Sequence, residues 1–165
     1  MIKKKNTNTS MVEFENLLDV FKESIETNEF KKFQEDFNES ENIFFIGNGG
    51  CHSVATHAAS DVCRLTDKKC YALDNPSYLT SIANDYGYNN IFMRWFEDYA
   101  MKNTNSMVIG FSGSGGSKNV ISTLSFASDK YDFKTCLLSG QKSQSLPEYI
   151  NEVCFNNRYF HVHEI

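Results

Sequence analysis

Two apolar runs that end in glycine-rich loops constrain the fold of this chain most. Residues 44–46 lead into a glycine loop at 47–50, and residues 107–109 lead into a serine loop at 112–117. Helix-forming sequence follows each loop, so the pattern predicts a strand, a short loop and a helix N-terminus. Backbone N–H groups at a helix start lack an acceptor within the helix and carry the positive end of its dipole. Each loop is therefore a candidate anion site, and the predicted ligand is a phosphorylated small molecule.

The same alternation of apolar and amphipathic segments continues along the chain. We predict strands at 42–46, 69–73, 107–111, 135–138 and 152–155, and helices at 11–27, 29–37, 53–65, 76–83, 91–100 and 117–128, with a break at 84–87. Strands that alternate with helices predict an α/β fold, in which helices cover both faces of a parallel sheet. Ligands of such sheets bind at the carboxyl ends of the strands, where both loops fall.

The first predicted helix raises the question of what covers its apolar face. Residues 1–10 are polar and are expected to form a flexible N-terminus, so the single predicted domain spans 11–165. Helix 11–27 then carries Val12, Phe14, Leu17, Leu18, Phe21 and Ile25 at helical spacing. This face packs either on the chain's own sheet or against another subunit, and the pattern favours neither.

Composition excludes several classes of partner. A net charge of −5 with a pI near 5.4 argues against a nucleic-acid surface, which requires a basic face. The sequence has no run of roughly 18 apolar residues to span a bilayer, and residues 1–5 lack the apolar core of a signal peptide. We therefore expect a cytoplasmic protein with no membrane partner. The five cysteines form no CxxC pair, which argues against a disulfide framework or a thiolate zinc site.

Nucleotide-binding loops are excluded by their spacing. A GxGxxG pattern that starts at Gly47 would need glycine where His52 stands, and one that starts at Gly113 would need glycine at Lys118. The sequence also has no GxxxxGK[ST] string. We therefore expect no nucleotide cofactor.

Polar side chains near the two loops supply candidate chemistry. The hydroxyls of Ser112, Ser114 and Ser117 can converge on a phosphate, although such a cluster can equally be a plain turn. His57 and Asp61 are four residues apart, so they share one face of the predicted helix. Three interpretations fit this pair: two metal ligands, a general base with its orienting group, or a solvated pair. Cys51 lies beside His52, but adjacent residues on a helix point apart, which argues against a thiol–imidazole dyad.

Three motifs in this order are typical of one known family: GNGG at 47–50 followed by His52 and His57, SIANDYGY at 81–88, and SGSGGSKNV at 112–120. On these motifs the chain resembles the sugar isomerase (SIS) family and, within it, the phosphoheptose isomerases. The resemblance implies a three-layer αβα sandwich with a five-stranded parallel sheet, and N-terminal helices that pack in a homotetramer. It implies an enzyme that interconverts sedoheptulose 7-phosphate and D-glycero-heptose 7-phosphate for lipopolysaccharide or capsule heptose.

The same resemblance implies roles for individual residues. Asp61 falls where the family has its catalytic carboxylate. Sugar contacts are implied for Asn48, Gly49, Gly50, Asn84 and Asp85, phosphate contacts for Ser112, Gly113, Ser114 and Ser117, and zinc ligation, in members that use zinc, for His57, Asp61 and His163. The family continues past the position of Ile165 into a last helix, which we expect this chain to lack. The alternatives are a non-catalytic module that binds sugar phosphates and an isomerase of another sugar phosphate.

Overall fold

Apolar stretches of the sequence form the five strands of a parallel sheet in this computed structural model, which describes residues 11–102 and 104–156, with the backbone alone for 11–17. The strands are β1 (Asn42–Gly47), β2 (Lys69–Ala72), β3 (Ser106–Ser112), β4 (Lys134–Ser139) and β5 (Asn151–Cys154). The helices are α1 (Met11–Ile25), α2 (Asn28–Glu39), α3 (Gly50–Leu65), α4 (Pro76–Tyr86), α5 (Ile91–Tyr99) and α6 (Lys118–Tyr131), and a 3₁₀ turn spans Tyr88–Asn90. The predicted α/β class is therefore confirmed.

The sheet has the strand order β2-β1-β3-β4-β5, and every neighbouring pair is parallel. All six residues of β1 are buried, as expected for a strand covered on both faces. Phe44 and Ile46 face one apolar cluster with α4, α5 and α6, whereas Ile43 and Phe45 face a second cluster with α2 and α3. This alternation of side chains produces the predicted three layers, because successive residues of a strand point to opposite faces.

Several predicted helix ends were wrong: α1 ends at Ile25 rather than residue 27, and α6 ends at Tyr131 rather than 128. Helix α3 begins at Gly50 rather than residue 53, so the glycine loop itself opens the helix. Helix α4 continues through Asn84 and Asp85 to Tyr86 instead of breaking at 84. The end comes at Gly87, whose φ of 82° favours glycine, and whose N–H donates to the Ala83 carbonyl at 3.1 Å. The Asn and Asp residues that suggested a turn therefore occupy the last helical turn.

The apolar face of α1 is only partly covered in one chain. Leu18 is 62% exposed and Phe21 is 50% exposed, although the Phe21 ring stacks on Phe155 at 6.3 Å between centroids. Helix α1 also contacts α2. Subunit packing of this helix stays a prediction. In the part of the chain that the structure describes, we find no helix with both the length and the apolar character that a membrane crossing requires.

A side-chain cap sets the start of α4 and supports a stability prediction. The Asn75 Oδ1 atom accepts hydrogen bonds from the N–H groups of Ser77 and Tyr78, at 3.0 and 3.1 Å. We expect Asn75→Ala to lower the free energy of unfolding by about 1 kcal/mol, measured by urea denaturation. Thr80→Ala, at an exposed position of the same helix, is the control, and equal losses in the two variants would contradict the assigned cap.

Candidate functional site

The glycine loop and the serine loop lie side by side because β1 and β3 are neighbours in the sheet. The register pairs Gly47 with Phe111, so both strands end at the same edge. Helix α3 leaves β1 toward one face and packs on β1 and β2, whereas α6 leaves β3 toward the other face and packs on β3 and β4. This edge is thus the topological switch point of the sheet, where ligands of open α/β sheets bind.

The glycine loop allows a close approach between β1 and α3. A Cβ atom on Gly47 would lie 2.7 Å from the Cys51 carbonyl oxygen, so a larger residue would push the helix off the strand end. Gly49 has a φ of 59° and precedes the helix without a side-chain cap. Its carbonyl accepts the N–H groups of His52 and Ser53 at 2.9 and 3.3 Å. The first turn of α3 is therefore tightly wound and directs its N-terminal dipole toward the switch point.

The serine loop is held by its own hydroxyls. The Oγ atoms of Ser112 and Ser117 are 2.9 Å apart, and the Ser117 N–H donates to the Ser112 Oγ at 3.4 Å. Ser112 is 2% exposed, whereas Ser114 is exposed and its Oγ accepts the Gly116 N–H at 3.3 Å. Two of the three predicted hydroxyls are thus brought together. Ser117 precedes α6 without capping it through its side chain.

A second loop supports the serine loop from behind. The Gly140 N–H donates to the Ser112 carbonyl at 3.2 Å, and the backbone of 141–143 lies against Gly115. The buried Glu152 carboxylate holds this supporting segment: it accepts the Ser139 hydroxyl at 2.7 Å and the Ser143 N–H at 2.8 Å. Lys142 Nζ lies 2.9 Å from the same carboxylate, whose hydrogen bond raises the pKa of the lysine. Glu152 had been assigned no role from the sequence, although a charged residue within a predicted strand signals one.

Asn48 joins three separate connections of the fold. Its Nδ2 donates to Asn119 Oδ1 at 2.8 Å, and its Oδ1 accepts from Asn119 Nδ2 and from the Tyr88 hydroxyl, both at 2.9 Å. Tyr88 follows the end of α4, so this bond joins the connection after α4 to the glycine loop. The Asn84 Nδ2 donates to Asp85 Oδ1 at 2.9 Å, and both residues are exposed. Tyr88 and Asn119 lie inside the quoted motifs but had been assigned no role.

His57 and Asp61 face each other on α3, as the spacing predicts. The Nε2 to Oδ2 distance is 3.3 Å, with the side chains 80% and 44% exposed. They offer two donors of the kind zinc takes, fewer than the three protein ligands of a catalytic zinc site. The described residues contain no group of three His, Cys, Asp or Glu side chains suited to a metal, and His163 lies outside them. Cys51 is buried, which further disfavours a thiol nucleophile.

Comparison with known proteins agrees with this geometry. No protein-family model matches the chain. The chain is 41% identical over 105 residues to the phosphoheptose isomerase of Helicobacter pylori strain Shi470, a match that covers 60% of this chain and 53% of that protein. Its structure superposes on the phosphoheptose isomerase of Neisseria gonorrhoeae with a TM-score of 0.79 and 22% identity, over 93% of this chain and 88% of that chain. The chain resembles the phosphoheptose isomerases.

This resemblance, predicted from the three motifs, is therefore confirmed, and the fold is the SIS fold of these enzymes. The chain spans about half the length of the curated relatives it matches. A more distant structural neighbour is the Vibrio vulnificus NanR protein complexed with ManNAc-6P, with a TM-score of 0.57 and 16% identity, over 90% of this chain and 51% of that chain. The fold thus occurs both in phosphoheptose isomerases and in a protein solved with a phosphorylated amino sugar.

Proposed function

We propose that this chain is an aldose–ketose isomerase of a sugar phosphate, with sedoheptulose 7-phosphate and D-glycero-heptose 7-phosphate as its substrate pair. One observation carries the proposal: the glycine and serine loops meet at the switch point, and the His57–Asp61 pair lies on the helix that the glycine loop opens. Phosphoheptose isomerases among the sequence and structural relatives support this choice of substrate.

The serine loop would hold the phosphate group. The N-termini of α3 and α6 supply positive dipole ends, so the phosphate needs no arginine. Within the Ser112–Ser117 pair, one hydroxyl hydrogen is used between the two oxygens, which leaves the other hydroxyl able to donate to a phosphate oxygen. The phosphate would in this way anchor one end of the sugar and leave its carbonyl end toward α3.

Asp61 would carry out the proton transfer. In the aldose, the carboxylate removes the proton from C2, the electron pair of that C–H bond forms the C1–C2 double bond, and the C1 carbonyl pair moves onto O1, which takes up a proton to give the enediol. The C2 hydroxyl then gives up its proton, its electron pair forms the C2 carbonyl, and the C1–C2 double-bond pair takes the proton back from Asp61 at C1. O1 gains one proton and O2 loses one, an exchange that water can carry, so no electrons or protons are lost overall. The His57 imidazole, 3.3 Å from the carboxylate, would orient Asp61 toward the substrate.

A direct assay tests the proposed activity. Purified protein should convert sedoheptulose 7-phosphate to the aldose, followed by NMR of the anomeric protons. Absence of product, with sugar-phosphate binding retained in calorimetry, would favour the second candidate, a non-catalytic sugar-phosphate-binding module. The structural neighbour solved with ManNAc-6P supports sugar-phosphate binding by this fold under either candidate. Turnover of a hexose or pentose phosphate, but not of the heptose, would support an isomerase of another sugar phosphate.

We further propose that His163 completes a zinc site with His57 and Asp61. The described residues supply two of these donors, His57 and Asp61, and no step of the proton transfer above is assigned to the metal. We expect His163→Ala to weaken zinc binding at least about tenfold, since loss of a hydrogen-bond partner of a zinc ligand alone commonly costs about 10- to 100-fold in metal affinity. Equilibrium dialysis with zinc chloride measures the change, and His161→Ala is the matched control. Equal affinity in His163→Ala and wild type would exclude His163 as a ligand.

The proposed setting is the cytoplasm, where the product would serve lipopolysaccharide or capsule heptose synthesis.

We also propose a homotetramer, because Leu18 and Phe21 leave apolar surface exposed on α1. Light scattering after size exclusion would measure the mass, and a monomer at micromolar concentration would contradict the tetramer.

A further inference from the structure

The amide of Asn48 has almost no hydrogen-bonding capacity left for a ligand. A carboxamide has two acceptor positions on Oδ1 and two N–H donors on Nδ2. Asn119 Nδ2 and the Tyr88 hydroxyl occupy both acceptor positions, and Asn119 Oδ1 takes one of the two donors. A single N–H is therefore available to a sugar, which is less than a residue dedicated to substrate recognition would offer.

The backbone of α6 sets the orientation of this amide pair. Asn119 is 3% exposed, and its Oδ1 also accepts the N–H of Val120 at 3.0 Å. Because a backbone N–H can only donate, the oxygen of Asn119 must face it, and its Nδ2 must face Asn48. The reciprocal pair then forces Asn48 to present its oxygen to Asn119 and Tyr88. If the Asn48 carboxamide were rotated by 180°, its Nδ2 donors would face the Nδ2 donors of Asn119.

From these contacts we infer that Asn119 and Tyr88 are positioning residues, which hold Asn48 and thereby set the glycine loop against the serine loop and the end of α4. The inference rests on the proposed function, because it assigns how the proposed sugar-phosphate site keeps its shape. Asn48 follows β1, Asn119 lies in the first turn of α6, and Tyr88 follows α4. One amide thus ties together the three connections that form the site.

Loss of these contacts should lower the affinity of the site for its ligand. Dipoles and N–H groups from two different helices bind a single phosphorylated ligand well only when their spacing matches it, and a binding site held about 1 Å too loosely commonly loses its function. Loss of the amide pair should therefore weaken binding even though Asn119 is itself buried. Tyr88 is 55% exposed and contributes one hydroxyl to the same atom, so its loss should have a smaller effect in the same direction.

The test measures the dissociation constant of inorganic phosphate, and of sedoheptulose 7-phosphate, by calorimetry. We expect Asn119→Ala to raise both dissociation constants about tenfold and Tyr88→Phe to raise them about threefold, as losses of hydrogen bonds of ordinary net strength would do. In the isomerase assay, KM should rise while kcat changes less. Ser122→Ala on the exposed side of α6 and Tyr149→Phe are the matched controls, and both should bind phosphate as wild type does.

A double-variant comparison separates positioning from general stability. If Asn119 acts through Asn48, the Asn48→Ala/Asn119→Ala variant should bind phosphate no more weakly than Asn48→Ala. The inference would be overturned if the losses of the two single variants multiplied in the double variant. It would also be overturned if Tyr88→Phe and a folded Asn119→Ala both bound phosphate as tightly as wild type does. A wild-type protein that binds phosphate but converts no sugar phosphate would defeat the proposed activity alone, since the phosphate comparison would still stand. A wild-type protein that binds neither ligand would overturn both.

Discussion

Asp61→Asn should lower kcat for sugar-phosphate isomerisation by about 10²- to 10⁴-fold, the range in which a positioned general base contributes. The carboxamide has nearly the shape of the carboxylate but cannot accept the substrate proton. Asp61 is 44% exposed on the surface of α3, so its replacement leaves the core intact. Binding of sedoheptulose 7-phosphate should remain within severalfold of wild type, because the phosphate contacts come from the serine loop. Turnover kinetics and calorimetry on the same preparation measure the two effects.

Asp67→Asn is the matched control for this prediction. Asp67 is an exposed aspartate just beyond the end of α3, and it lies outside the candidate site. The same chemical change there should leave kcat and KM unaltered. If Asp61→Asn turned over substrate as fast as Asp67→Asn, the assignment of Asp61 as the base would be wrong, even if the isomerase activity itself were real.

Gly115→Ala should have the largest effect on stability among the loop variants. Gly115 has a φ of 65°, in the region that favours glycine. An added Cβ would also collide with the Gln141 carbonyl oxygen and would lie 3.1 Å from the Ser143 nitrogen. Left-handed backbone strain and overpacking against a second backbone should together cost about 2–5 kcal/mol of unfolding free energy. The serine loop would have to move away from its supporting segment, so affinity for phosphate should fall as well.

Gly116→Ala provides the comparison for Gly115→Ala. Its added Cβ would be in ordinary contact with the Ser114 Oγ at 3.7 Å, and Gly116 is exposed. The neighbouring substitution should therefore change unfolding free energy by no more than about 0.5 kcal/mol, as at most surface positions. Urea denaturation of the two variants measures the difference. Equal stability would mean that the supporting segment does not restrain the serine loop at Gly115.

Much of the fold could be predicted because its signals are local. Each predicted strand lies within a residue or so of an observed one, since a strand buried on both faces reads as a short apolar run. Helix ends were less predictable: Asn84 and Asp85 suggested a turn, but Gly87 ends α4 one turn later. A residue with intrinsic turn preference remains helical when the preceding turns are already wound, and the left-handed glycine supplies the stop.

The candidate site was only partly predictable. Spacing of four residues brought His57 and Asp61 together, because helix geometry alone sets that distance. The three hydroxyls of the serine loop were predicted to converge, but only those of Ser112 and Ser117 meet. The Ser114 hydroxyl instead accepts the Gly116 N–H. Backbone conformation within a short loop decides such pairings, and residue types do not specify it.

The sequence by itself determined the strand and helix alternation, the two loops at strand ends and the i, i+4 pair, because each depends on residues close together in the chain. Only the tertiary structure decided that β1 lies beside β3, that Asn48 pairs with Asn119 across 71 positions, and that buried Glu152 supports the serine loop from β5. These contacts depend on strand order and on how helices pack across the sheet. No local spacing encodes that information, because it arises when distant apolar faces are buried together.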